Sequence, residues 1–191
     1  MTAKAVRRFP LGWLVVGLLA ASGVFWAALF FGTLAHLQAL AGGAAPFDLR
    51  PMGYSDAEAR AFLAAIGAQG RAYYLKPELV LDSFYPLLYA ASRALALWWL
   101  TMPGRVRAAP IVPAWRYALV ALPIFVAILD GAVENVGIAR MLWTWPDVSP
   151  GLVHAASLAT RAKLAAGALT EACMVTLAAA AVLRWGRRRY A

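Results

Sequence analysis

The sequence predicts an all-α membrane protein, a bundle of four transmembrane helices that forms a single domain over residues 1–191. Hydrophobic residues make up 63% of the chain and charged residues only 14%, whereas about a quarter of a typical soluble domain is charged. Four mostly apolar stretches are long enough to cross a bilayer core of about 30 Å. The net charge of +9 comes from basic residues that lie mainly between these stretches. This arrangement indicates membrane topology and argues against a nucleic-acid-binding protein.

Two of the four apolar stretches begin with residues typical of a helix start, and the first is distinguished by its length. The first is uncharged and is longer than the apolar core of a signal peptide, so we predict an uncleaved span. The second begins with Pro77, a residue suited to the first turn of a helix. The fourth begins with Ser149 as a helix cap and Pro150 at the first helical position. The predicted spans are residues 11–40, 77–102, 115–142 and 150–185.

Basic residues mark one side of the predicted bundle. Three segments contain arginine or lysine and no acidic residue: the N-terminus, the connection between spans two and three, and the C-terminus. Lysine and arginine accumulate on the cytoplasmic side of membrane proteins, so both termini are predicted to be cytoplasmic and the protein to lie in a bacterial inner membrane. The basic residues concerned are Lys4, Arg7, Arg8, Arg105, Arg107, Arg116, Arg184, Arg187, Arg188 and Arg189.

The connection between spans one and two is too long for a simple loop. Within it, Ser55 and Glu58 have the spacing of a capping box, which marks the start of a helix. Apolar residues follow at helical spacing from Ala59 to Ile66, until Gly67 and Gly70 interrupt the pattern. We therefore predict a short amphipathic helix on the extracytoplasmic side, lying on the bundle or on the outer leaflet.

Ionisable and polar residues within the spans are the candidate functional residues, because such groups are costly in a bilayer and normally face the bundle interior. Counting helical rise from the cytoplasmic ends places most of them in the outer half of the membrane. They form a predicted polar pocket whose members are His36, Asp82, Tyr85, Tyr89, Arg93, Asp130, Glu134, Asn135, Lys163 and Glu171.

Two interpretations of these residues remain open. In the structural one, Lys163 pairs with Asp82 or Glu134, and Arg93 pairs with Asp130 or Glu171, so that the charges only fix helix register. In the functional one, the excess of acids over bases forms the polar end of a pocket for a lipid, a quinone-like molecule or another amphiphile.

The sequence favours binding or handling of an amphiphile, or assistance to a larger envelope complex. The alternatives are a membrane-embedded enzyme that uses Asp130 and Glu134 as acid and base on a lipid-like substrate, and a purely structural subunit. No catalytic residue is assigned, and no motif for a metal or a cofactor is found. The expected partners are membrane lipids, an amphiphilic small molecule and a membrane protein, and nucleic acid is not among them.

Overall fold

The computed structural model describes residues 11–102 and 114–190, and every regular element in these ranges is helical. Within these ranges, three helices are long and apolar enough to cross a membrane: α1, Leu11–Leu40; α5, Trp115–Thr144; and α6, Pro150–Tyr190, of which Pro150–Arg187 is the candidate span. The predicted first and third spans are thus confirmed as long apolar helices. The fourth begins at Pro150 as predicted, but its helix continues past residue 185. Most of the basic segments at the N-terminus and before α5 lie outside the described residues.

The second predicted span differs from the structure at its start. Pro77 does not begin a helix; it lies within a continuous helix, α3, that runs over residues 67–82 and includes the segments Gly67–Tyr73, Tyr74–Glu78 and Leu79–Asp82. A turn at Ser83–Phe84 separates α3 from α4, Tyr85–Leu100. Pro86 explains this break, because it has no N–H to donate to the carbonyl of Asp82. α4 alone, with 16 residues, is shorter than the three long apolar helices.

A helix follows the predicted capping box: α2, Asp56–Ala65. Both hydrogen bonds of the capping box are formed: Ser55 Oγ accepts from the N–H of Glu58, and Glu58 Oε2 accepts from the N–H of Ser55. Gly67, with φ of +64°, follows the end of the helix, whereas Gly70 lies inside α3. Arg60 attaches α2 to the loop before α6 through the carbonyls of Pro146 and Val148.

The main hydrophobic core lies between α2 and the ends of the long helices, where residues 41–54 fold over the bundle. Phe47, Phe62 and Tyr74 contact one another there through their rings. The loop is fixed to α6 by a hydrogen bond of 2.8 Å from the N–H of Tyr54 to Ser157 Oγ. This packing buries Pro46, Phe47, Asp48 and Tyr54 of the loop, whereas Met52 stays exposed.

Within the residues that the structure describes, three helices contain a π-helical turn. The turns are Leu29–Leu34 in α1, Tyr74–Glu78 in α3 and Leu129–Glu134 in α5. A π turn holds one more residue than an α turn and is frequent at functional sites. α4 packs between α1 and α5, and α6 packs on α4 and α5. The π turns of α1 and α3 contact each other, and the π turn of α5 contacts α6.

Candidate functional site

Lys163 of α6 is the centre of a buried charged cluster. Its Nζ lies 2.9 Å from Asp130 Oδ1, 2.6 Å from Glu134 Oε2 and 3.7 Å from Asp48 Oδ1. Lys163 is 9% exposed and Glu134 is fully buried. The predicted pairing of Lys163 with Glu134 is therefore present, and Asp130 and Asp48 share the same ammonium group.

The π turn of α5 positions two of these acids. Asp130 and Glu134 both lie in the turn Leu129–Glu134, and both side chains reach α6. Thr160, one turn before Lys163, donates a hydrogen bond of 2.8 Å to Glu134 Oε1. Glu134 thus has a partner on each oxygen, an arrangement that holds its carboxylate in one orientation.

Asp82 does not pair with Lys163 as one alternative expected. Its Oδ2 accepts a hydrogen bond of 2.9 Å from Nδ2 of Asn135, which joins the end of α3 to α5. Asp82 is buried, and no ion pair connects it to a cation in the described part of the chain. It is the least compensated of the predicted acids.

A second charged group lies further along α4. Arg93 Nε is 3.0 Å from Glu171 Oε1, so Arg93 forms an ion pair with Glu171, one of its two predicted partners. The other predicted partner, Asp130, pairs with Lys163 instead. The Arg93 guanidinium also donates to Ser22 of α1 and lies 4.6 Å from the centre of the Tyr89 ring. This group links α1, α4 and α6.

His36 lies apart from the other predicted site residues. It is exposed, and its ring lies 4.5 Å from that of Tyr73. The π turn Leu29–Leu34 precedes it, and the extra residue rotates His36 by about 100° relative to Trp26. The prediction that His36 belongs to the polar pocket assumed a uniform α-helix, which lacks this rotation.

A cavity of about 420 Å³ lies beside the two charged groups. One end is lined by Asp48, Asp82, Asp130 and Lys163, which we call the acidic end. The Arg93–Glu171 pair also lines the cavity. The remaining wall is aromatic and aliphatic, and its members include Trp26, Leu29, Leu34, Tyr85, Tyr89, Val126, Leu164 and Gly167.

The cavity opens between α1 and α6. Gly23 and Trp26 of α1 and Ala168 of α6 line it and are exposed, and the Glu171 side chain is 45% exposed. α1 packs mainly on α4, which leaves this gap along the side of the bundle. The entrance of the cavity therefore lies on the side of the bundle, between two long helices.

Sequence reasoning missed Asp48, which comes from the 3-10 turn Phe47–Leu49 in the connection after α1. Asp48 is buried, and its Oδ2 accepts a hydrogen bond of 2.5 Å from the Tyr74 hydroxyl. This hydrogen bond joins α3 to Asp48. The apolar neighbours Phe47 and Leu49 were the available signal for its burial.

Tyr54 and Glu78 also lie near the cluster. Burial, and next the charge of Glu134, raises the pKa of Tyr54. Glu78 is 1% exposed, and its Oε2 is buried without a hydrogen-bond partner. With Glu78, five buried carboxylates surround one ammonium group, a larger excess than the sequence indicated.

The arrangement has the chemistry of a site for a positively charged or hydrogen-bond-donating group. Asp48, Asp82 and Asp130 each offer a carboxylate oxygen, and these oxygens lie within 4.8 Å of one another, close enough to hold a cation. An apolar wall continues from that acidic end. No protein family, curated protein or solved structure matches the chain, so the geometry alone supports a function.

Proposed function

We propose that the chain is a bacterial inner-membrane protein that crosses the bilayer four times, with α3 and α4 together supplying the second crossing. Three helices of suitable length and apolarity support this proposal, and so do the acid-free basic segments between and after them. In this topology both termini are cytoplasmic. α2, with its buried face on the core and its charged face outward, caps the bundle on the opposite side.

Alkaline phosphatase fusions test this topology, because the enzyme folds only outside the cytoplasm. A fusion after Gly67 should be active, and fusions after Arg107 or Arg189 should be inactive. Inactive fusions after Gly67 together with active ones after Arg107 would reverse the orientation. Equal activity after Gly67 and Arg107 would remove the crossing formed by α3 and α4.

The proposed function is the binding of a small amphiphile, a lipid or a quinone-like molecule, in the outer half of the bundle. The observation that carries it is the cavity of about 420 Å³, which joins a charged end to an apolar, aromatic wall. Small-molecule sites typically have volumes of about 300–1,000 Å³ and few polar groups in an apolar lining. The sideways entrance between α1 and α6 gives an amphiphile a direct route from the surrounding lipid.

Gly167 offers a direct test of this proposal. It lines the cavity, and a Cβ placed there would lie 3.7 Å from the Tyr89 hydroxyl, so that a larger side chain would fill the space. Protein purified in a mild detergent should carry a stoichiometric amphiphile in native mass spectrometry, and Gly167→Leu should lose it. Gly186→Leu is the matched control on the same helix, because a Cβ at Gly186 meets no atom within 4 Å.

Retention of the same amphiphile by Gly167→Leu would place it on the outer surface of the bundle and refute cavity binding. Absence of any stoichiometric amphiphile from the unmodified protein would favour the structural alternative. The ion pairs of Lys163 and Arg93 provide the specific support for that alternative, since they join α4, α5, α6 and the turn that carries Asp48. The enzyme alternative has less support, because Asp130 and Glu134 both contact Lys163.

A further inference from the structure

We propose that Asp48, Asp82 and Asp130 form a binding site for a cation at the acidic end of the cavity. The cation is either the ammonium head of an amphiphile or a free divalent metal ion. The first source rests on the proposed function, and the second does not. One oxygen from each aspartate lies within 4.8 Å of the others. Ligand bonds to Ca²⁺ of 2.3–2.6 Å allow opposite oxygens to be about 5 Å apart, so one ion of this size can contact all three.

Buried oxygen atoms without a hydrogen-bond partner give an independent indication of a bound cation. Asn135 uses its Nδ2 to hold Asp82, while its Oδ1 is buried without a hydrogen-bond partner. Asp48 Oδ1 is also buried without one, and it faces the cluster at 3.7 Å from Lys163 Nζ. Asn135 is 6% exposed and Asp48 8% exposed. Buried acceptors are nearly always satisfied, and carboxylate and amide oxygens are ligands of hard cations.

The charges at the site point in the same direction. Lys163 is the one cation in ion-pair contact with the cluster in the described residues, and its closest contacts are Asp130 and Glu134. Asp82 receives only an amide hydrogen bond, and Glu78 Oε2 receives none. Uncompensated buried carboxylates are costly, so a second positive charge beside Asp82 would stabilise the folded protein.

Two features of the cavity distinguish the sources of this charge. The rings of Trp26, Tyr85 and Tyr89 line the same cavity, and aromatic faces attract ammonium groups. The close approach of the three aspartate oxygens, in contrast, suits a compact metal ion. The two sources share the same ligand atoms and are separated by experiment.

The test uses the full chain in dodecyl maltoside after treatment with EDTA. Thermal unfolding is followed by far-ultraviolet circular dichroism with dodecylamine, with dodecanol as its uncharged match, with CaCl₂ and with MgCl₂, all at constant ionic strength. A ligand at 100 times its dissociation constant should raise the midpoint by about 5 °C or more. Asp82→Asn should weaken its binding at least about tenfold, and Asp147→Asn, at an exposed aspartate in the loop before α6, is the matched control.

The cation site is supported if dodecylamine or a divalent ion raises the unfolding midpoint and this rise is lost in Asp82→Asn but kept in Asp147→Asn. The ligand that causes the rise identifies the source of the charge. Stabilisation by calcium alone would support the site while counting against an amphiphile. Equal stabilisation by dodecanol and dodecylamine, with no effect of metal ions, would overturn the cation site and leave the proposed function intact. No stabilisation by any ligand would overturn both. If Asp82→Asn does not fold, Asp48→Asn takes its place.

Discussion

Replacing Lys163 by methionine is the sharpest perturbation of the buried cluster. Methionine keeps much of the side-chain volume and removes the charge that contacts Asp130 and Glu134 at 2.9 and 2.6 Å. Removing one partner of a buried ion pair costs about 3–5 kcal/mol, because the remaining charge is left uncompensated. In a chain of this size that loss corresponds to a fall in unfolding midpoint of about 6–20 °C.

A double-mutant cycle shows whether this cost belongs to a direct pair. Glu134→Gln removes one uncompensated carboxylate and should restore part of the stability that Lys163→Met loses. The expected coupling energy is about 0.5–3 kcal/mol. Lys76→Met, at an exposed lysine, is the control for the chemical change and should have a small effect.

The measurement is unfolding of each variant in mixed micelles with increasing denaturing detergent, followed by circular dichroism. Additive losses in the cycles of Lys163 with Glu134 and of Lys163 with Asp130 would refute the central role of the lysine. If Lys76→Met lost as much stability as Lys163→Met, the assay would not report on the buried cluster.

Two further predictions concern the region outside the long helices. Ser55→Ala removes the cap of α2 and should destabilise that helix by about 1 kcal/mol; faster amide exchange over residues 56–65 would support this, and unchanged exchange would contradict it. The raised pKa of Tyr54 predicts a stability that is fully present below its usual pKa of 10.0 and is lost as the pH rises above it, because the unfolded chain ionises first. Unfolding measured between pH 8 and 12 should show a smaller loss of stability at high pH for Tyr54→Phe than for the unmodified protein or Tyr117→Phe, and equal losses in all three would exclude Tyr54 as the cause.

Much of the helical framework could be predicted from the sequence, because long apolar runs and caps act locally. α1 and α5, the start of α6 and the capping box at Ser55 are examples. The break before α4 was also encoded locally, in Pro86, but the apolar run across it concealed the signal. Composition thus identified the apolar segments better than it identified where their helices begin.

The site could be predicted only in part. Opposite charges at similar depth on different helices form ion pairs, as Lys163 does with Glu134 and Arg93 does with Glu171. Asp48 was missed because its burial depends on how the loop packs on Phe62 and Tyr74, which lie far from it in sequence. His36 was misplaced relative to the other residues because periodicity cannot reveal the extra residue of a π turn.

The π turns have a consequence for length changes in this chain. Deleting one residue from Leu129–Glu134 would let α5 continue as a regular α-helix, with its hydrogen bonds largely preserved. All residues beyond the deletion would turn by about 100° relative to those before it. Such a deletion would retain a long apolar helix while taking Asn135 away from Asp82. In related chains, a gap of one residue at this turn would therefore mark a protein that keeps the helices and lacks the proposed binding site.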